Sequence, residues 1–159
     1  MEEAKRIIVC DTEKCSGCEL CEYVCSIFHE KTINWSKSRI RHVRIEPTFD
    51  IAMACRKCEE PLCIKACPRD AIITMEDGSV KVEKDKCNGC GWCIEACNFG
   101  ALKLDWDKKV VFACDFCEGE GGPKCVEYCP YDALEFTTLD QVGREAGVKA
   151  FKRIIEELE

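Results

Sequence analysis

A chain of 159 residues is long enough for one compact domain or two small intertwined halves. Its formal net charge of −7 excludes nucleic acid as the main partner, because phosphate binding needs a basic surface. Seventeen cysteines in a chain that is 33% charged leave two explanations, disulfides or metal.

The N-terminus bears on that choice. MEEAKRIIVC opens with two Glu and has no long apolar run, so it does not read as a secretory signal. No window approaches ~18 uninterrupted apolar residues, so no membrane insertion is expected. A reducing, cytoplasmic setting follows, in which cysteine clusters read as metal sites. Arg6–Cys10 reads as a strand with Cys10 as a small apolar side chain. The first cysteine group follows, Cys15, Cys18, Cys21 and Cys25, spaced C-x2-C-x2-C-x3-C. Residues 26–54 are the longest stretch between groups. Within them Arg39–Glu46 partly alternates and predicts a strand whose basic face meets solvent, an acidic partner or a nearby cluster. His29 and His42 lack ligand spacing and are assigned to surface or core.

The second group is Cys55, Cys58, Cys63 and Cys67, with the middle gap grown to four. Ile72–Ile73 and Val80–Val82 flank Asp77-Gly78, a hairpin signal. The third group, Cys87, Cys90, Cys93 and Cys97, repeats the first spacing. Trp92 inside it reads as a shield against water. Leu102–Leu104 and Val110–Phe112 predict another hairpin around Asp105–Lys109. The fourth group, Cys114, Cys117, Cys125 and Cys129, carries a seven-residue insert, Glu118–Lys124, in its middle gap. The tail Leu139–Leu158 has helical periodicity, with Phe151, Ile154, Ile155 and Leu158 on one face. That face either packs on its own domain or docks a larger subunit.

All four groups keep C-x2-C in front and C-x3-C behind, and only the loop-like middle gap varies. The spacing suits a [4Fe–4S] cube. Cysteines every third residue wrap three iron corners, and the fourth lies past a helical turn, pointing to a neighbouring cube. Gly17, Gly89 and Gly91 leave room for backbone N–H groups near the sulfides. Zinc prefers two separated pairs per ion, which triplets do not supply. A second repeat follows the last cysteines: Pro-Arg-Asp-Ala-Ile after Cys67, Asn-Phe-Gly-Ala-Leu after Cys97, Pro-Tyr-Asp-Ala-Leu after Cys129. Group one departs, with Ser-Ile-Phe-His-Glu after Cys25.

Groups two and three look like one complete two-cluster ferredoxin module. Its exchange rule gives one cube to Cys55, Cys58, Cys63 and Cys97, and its neighbour to Cys87, Cys90, Cys93 and Cys67. Exclusion and family pattern then give Cys15, Cys18, Cys21 and Cys129 a third cube, and Cys114, Cys117, Cys125 and Cys25 a fourth. Sequential pairing, one with two and three with four, stays open. The expected fold class is α+β and ferredoxin-like, with two nested dicluster modules of short β-hairpins and short helices. Residues 1–159 form a single domain: an inner module over about 52–104, an outer one over about 5–51 plus 105–138, and a C-terminal helix over 139–158.

The four groups, above all DTEKCSGCELCEYVCS and C-R-K-C-E-E-P-L-C-I-K-A-C-P, resemble the four-cluster, ferredoxin-like electron-transfer subunits of large oxidoreductases. Members of that family serve molybdenum or tungsten pterin enzymes, formate dehydrogenases, hydrogenases and carbon monoxide dehydrogenases. The chain is short within the family and is similar to polyferredoxin subunits of tungsten aldehyde oxidoreductases and benzoyl-CoA reductase complexes. The resemblance implies four [4Fe–4S] clusters and no catalysis by the chain itself. It implies a larger catalytic subunit as partner and a further acceptor such as a ferredoxin or a flavin subunit. The residues agree, for there is no Ser–His–Asp set, phosphate-cradling loop or flavin motif. Four oxidised cubes would add about eight negative charges. Two alternatives are a free polyferredoxin that shuttles between enzymes and, in another class, a zinc-binding interaction module.

Overall fold

The structure, a computed structural model, describes residues 5–45 and 49–158. Strand β1 (Arg6–Cys10) buries Ile7 and Ile8 and pairs antiparallel with β8 (Leu134–Thr138), Arg6 opposite Thr138 and Cys10 opposite Leu134. The Arg6 guanidinium lies 4.3 Å over the Phe136 ring on that ladder. This pair joins segments more than 120 residues apart in sequence. No local signal in either strand announces it.

Helix α1 (Leu20–Glu30) follows the first cysteine loop and stops at Lys31, whose left-handed backbone returns its N–H to the Ile27 carbonyl. A 3₁₀ turn (Trp35–Lys37) is capped by Asn34, which accepts the Ser36 N–H at 3.0 Å. Next come β2 (Arg41–Ile45) and β3 (Phe49–Met53), paired with Arg41 opposite Met53. The strand expected over Arg39–Glu46 thus starts two residues late. The Arg39 and Ile40 N–H groups are taken instead by Cys25 Sγ and Ser38 Oγ, both at 3.2 Å. Glu46 lies outside the described residues.

The inner segment repeats one small unit. Helix α2 (Leu62–Lys65) leads to the hairpin β4 (Ile72–Thr74) and β5 (Val80–Val82), where Asp77 accepts the Ser79 N–H at 2.9 Å and Gly78 takes φ +79°. Helix α3 (Trp92–Glu95) leads to β6 (Lys103–Asp105) and β7 (Val110–Phe112). β7 falls where predicted, and β6 sits one residue later, because Leu102 is buried ahead of the strand and Asp105 accepts the Asp107 and Lys108 N–H groups at 3.0 and 3.1 Å. Helix α4 (Lys124–Glu127) precedes β8, and α5 (Leu139–Leu158) ends the chain. Every sheet is a two-stranded antiparallel pair, and short helices accompany them, which makes the fold α+β.

Ion pairs clamp the segment around α1 onto β6 and its turn. Lys103 donates to Glu22 at 2.8 Å and to the Trp35 carbonyl at 3.1 Å, with both charged side chains about nine-tenths buried or more. Lys37 bridges Asp105 and Asp107 at 2.8 and 2.7 Å. Removing one member of a buried pair strands the other charge, at a cost of about 3 kcal/mol. Lys103→Ala should therefore lower the anaerobic denaturant midpoint sharply. The double change Glu22→Leu with Lys103→Met should regain part of the loss, which circular dichroism of both variants will show.

Candidate cluster sites

Each cysteine group is a loop followed by a helix. In groups two, three and four the helix has four residues and carries the third cysteine, Cys63, Cys93 or Cys125. The fourth cysteine follows just beyond. There the chain turns through a left-handed residue, Asp70, Gly100 or Asp132, with φ between 47° and 57°. That turn aims the next N–H back at the sulfur: Ala71 donates to Cys67 at 3.3 Å, Ala101 to Cys97 at 3.4 Å, and Ala133 to Cys129 at 3.3 Å. All three alanines are buried, so a larger side chain has no room. The repeat noted after these cysteines is therefore a hydrogen-bonding device.

Three cavities gather cysteines from two groups each. One is lined by Cys55, Cys58 and Cys63 with Cys97. A second is lined by Cys87, Cys90 and Cys93 with Cys67. A third is lined by Cys15, Cys18 and Cys21 with Cys129. The same set of four sulfurs in each fits one kind of guest.

The remaining four sulfurs also converge. Helix α1 packs on α4, which brings Cys25 to Cys125. Burial raises the Cys114, Cys117 and Cys125 thiols, and Cys25 adds to the rise in all three. Here the middle cysteine differs from its counterparts. Cys18, Cys58 and Cys90 are exposed, whereas Cys117 is buried. The Glu118–Lys124 insert closes over it: Glu120 donates its N–H to the Cys117 carbonyl at 3.0 Å, and the Lys124 backbone offsets part of the rise in the thiol.

The donor set distinguishes a cube from a single ion. A zinc ion holds four sulfurs about 2.3 Å away, which crowds them within about 4 Å of one another. Among the described residues, the only three or more ligating atoms mutually within 4.8 Å belong to His29, Asp115 and Cys117. The cysteine quartets are thus spread too widely for one ion and leave space between them, as a [4Fe–4S] core requires. Burial pushes the third-cysteine thiols up, Cys21 to about 12 and Cys63 and Cys93 to about 11, so without metal these three are neutral thiols. Loading a cube must displace those protons, and the iron charge offsets the burial of thiolates.

Several residues differ from their expected roles. Cys10 lies in its strand but is only partly buried. Burial first, then the Cys15 and Cys129 sulfurs, raise its thiol to about 11 against a lowering by the Ala52 backbone, so it sits beside a cluster site. His42 lines the Cys15 cavity, its Nε2 2.7 Å from Asp50. His29 reaches Cys117 Sγ at 3.6 Å, and burial, then the Arg39 guanidinium, hold its imidazole below the ordinary value. Both histidines thus stand against cysteine sites. The signal for His29 was its position four after Cys25 on a helix. Trp92 is 66% exposed and does not line the Cys90 cavity, so it is no shield there. Helix α5 buries none of its residues and is tied down by Lys149 and Arg153 on Glu13, so its apolar face does not pack on its own domain.

These sites define an iron–sulfur electron-transfer protein. Residues 48–139 match the model of the 4Fe-4S dicluster domain, more than half of the chain, and the chain belongs to that family. It carries multiple [4Fe–4S] clusters. It is 38% identical over 135 residues to the polyferredoxin-like subunit of an aliphatic sulfonate oxidoreductase of Pyrococcus furiosus, covering 82% of this chain and 77% of that one. It is 33% identical over 156 residues to the B subunit of the anaerobic dimethyl sulfoxide reductase of Escherichia coli, covering 86% of this protein and 75% of that one. In structure it is similar to a component of the active site complex BamBC of benzoyl coenzyme A reductase, with TM-score 0.52, 25% identity and 98% of each chain covered. No described helix is long and apolar enough to cross a membrane.

The loops leave little room. A Cβ on Gly89 would lie 2.7 Å from the Lys109 carbonyl oxygen, at φ +70°. At Gly119, φ +86°, it would meet nothing within 4 Å. Gly119→Ala should cost only the left-handed backbone penalty, about 1–2 kcal/mol. Gly89→Ala should cost more, and denaturant midpoints of the two variants test the order.

Proposed function

We propose that this chain is the electron-transfer subunit of an oxidoreductase complex, with four [4Fe–4S] groups in a row and a separate catalytic subunit. One observation carries the reading: in three cavities the last cysteine of one group completes the first three of another. This supports the nested pairing. Cys55, Cys58, Cys63 and Cys97 would hold one cube, and Cys87, Cys90, Cys93 and Cys67 its neighbour. Cys15, Cys18, Cys21 and Cys129 would hold the third, and Cys114, Cys117, Cys125 and Cys25 the fourth. Residues 52–104 then act as an inner module inserted into an outer one.

A bound [4Fe–4S] cube supplies reversible one-electron chemistry. The chain's own residues order the sites and insulate them. Cys114 feels the charge of Cys55, and Cys125 that of Cys21, so the buried fourth site neighbours both an inner and an outer one. The row would run from the Cys87 site through the Cys55 and Cys114 sites to the Cys15 site. The insert over Cys117 then covers one interior position, whereas Cys58 at the other interior site is exposed, as are Cys90 and Cys18 at the ends.

The partner reading rests on the relatives and on α5. A larger catalytic subunit, best matched by a molybdenum or tungsten pterin enzyme such as an aldehyde oxidoreductase, would meet one end. A ferredoxin or flavin subunit would meet the other. The exposed stripe of Val148, Phe151, Ile155 and Leu158 repeats at helical spacing and supports a docking role. Cysteines kept as thiolate ligands suit a reducing, cytoplasmic compartment.

Anaerobically purified protein should hold about sixteen irons and as many labile sulfides per chain, measured by metal and sulfide analysis. About four zincs would end the reading. Cys97→Ala should remove the cube of Cys55, Cys58 and Cys63 and spare that of Cys87, as resolved by electron paramagnetic resonance. Deleting residues 139–159 should abolish copurification of the catalytic subunit with little change in the denaturant midpoint. A retained complex with a lower midpoint would show instead that the helix serves its own domain.

A further inference from the structure

Among the described residues, three of the four sites receive backbone N–H donors at sulfur: Ala71, Ala101, Ala133 and Val111 donate to Cys67, Cys97, Cys129 and Cys87, and Cys15 also meets the Cys10 thiol. The Cys114 site differs. Its Cys117 sulfur faces a side chain, the imidazole of His29, with Nε2 at 3.6 Å. The contact follows from the long first helix. Cys25 and His29 lie four apart on α1 and share a face, so the turn that brings Cys25 to the site brings the imidazole too.

The ring is held on several sides. Its side chain is 13% exposed, and Nε2 also lies 3.4 Å from Asp115 Oδ1. Asp115 is fixed in turn: its Oδ1 accepts the Cys117 N–H at 3.1 Å and its Oδ2 accepts Arg39 Nη1. The Arg39 backbone N–H donates to Cys25 Sγ at 3.2 Å. Hydrogen bonds and the His29–Asp115 contact thus link two of the four sulfurs through Arg39, Asp115 and His29. A ligand thiolate and a carboxylate both face Nε2. Both are acceptors, so the tautomer that fits this geometry has its N–H at Nε2, with His29 as the donor.

We propose that His29 is a positioning residue that sets the redox potential of the group held by Cys25, Cys114, Cys117 and Cys125, by donating Nε2–H to Cys117 Sγ. The inference rests on the ligand assignment made above. A donor at a ligand sulfur stabilises the more negative, reduced form, so it raises the potential of that group. One electron arrives on reduction, and the His29 proton stays on Nε2. Asp115 and Arg39 act through His29 by holding its plane.

The test is a redox titration of the fully loaded full-length protein, followed by electron paramagnetic resonance. His29→Leu should move one of the midpoints to a more negative value and leave the others in place. His29→Gln keeps an N–H in reach and should return that midpoint toward the wild-type value. Unmoved midpoints, a joint shift of all of them, or a glutamine variant displaced as far as the leucine one would each overturn the proposal. Cys25→Ala and Cys117→Ala tell the two readings apart. If they abolish different signals, the ligand assignment fails. If they abolish one shared signal that the His29 variants leave in place, the His29 proposal alone fails. Should His29→Leu lose iron, protein grown on ¹⁵N-histidine decides. Pulsed resonance of its reduced form must show a nitrogen coupling that disappears in His29→Gln and persists in His42→Gln. Its absence overturns the proposal.

Discussion

The constraint on which the fold depends is the convergence of four sulfurs from two separate loops on one guest. Nothing else in the chain is large enough to hold it together. Each sheet has only two strands, and isolated pairs of strands are marginal in water. Among the described residues, three of the five α-helices have four residues, far below the length at which a helix sustains itself. The buried set is dominated by small residues, with Cys and Ala set among a few Ile, Val and Leu. In such a chain metal–thiolate bonds contribute folding free energy directly, because the unfolded state has no preformed site. On the proposed pairing, the exchanged last cysteine turns that local bond into a long-range one. Cys129 shares a cavity with the first loop, alongside the β1–β8 ladder that joins the same distant segments with backbone hydrogen bonds.

The features legible in the sequence were those written in short windows. Cysteine spacing marked all four loops, and Asp77-Gly78 marked the β4–β5 turn. The Ala repeat after the last cysteines was visible as a pattern, but its meaning needed geometry, since only the folded turn shows Ala N–H groups reaching sulfur. Features set by distant partners were not legible. β3 has no strong turn signal beside it, and the β1–β8 pairing links the two ends of the domain. Nothing in the local sequence pairs Glu22 with Lys103, yet they form a buried pair across segments 81 residues apart. α1 outlasts the helices of the other groups because its residues after Cys25 lack the Pro or Gly that turns the chain elsewhere. That single local difference has two effects. Cys25 loses the N–H donor its counterparts receive from alanine, so Arg39 supplies one, and His29 arrives beside Cys117.

The Glu118–Lys124 insert looks in sequence like an interruption of a cysteine motif. In the structure it closes over Cys117, the one middle cysteine that is buried. Water near a cluster changes its potential through the local dielectric, so covering this site has a chemical effect. The insert achieves it with three glycines at positive φ that wrap the loop tightly. An acidic surface loop over an interior site also has an electrostatic consequence. The chain is anionic before any cluster is counted, and the negative charge of loaded sites adds to it, so partner surfaces that approach the row are steered by positive charge.

The distribution of exposed cysteines then separates the sites by role. An electron donor or acceptor protein must come close to a cluster, and the exposed Cys18, Cys58 and Cys90 mark three sites where that is possible, whereas the buried Cys117 marks the one where it is not. The Cys117 site is covered by the insert and, in the proposed reading, has its potential set by His29. A relay needs both properties at once. Its ends must be open to partners whose surfaces perturb them, while its interior must keep its potential whichever partner is bound. A side-chain donor gripped by Asp115 and Arg39 suits the interior, because its geometry does not depend on what docks outside.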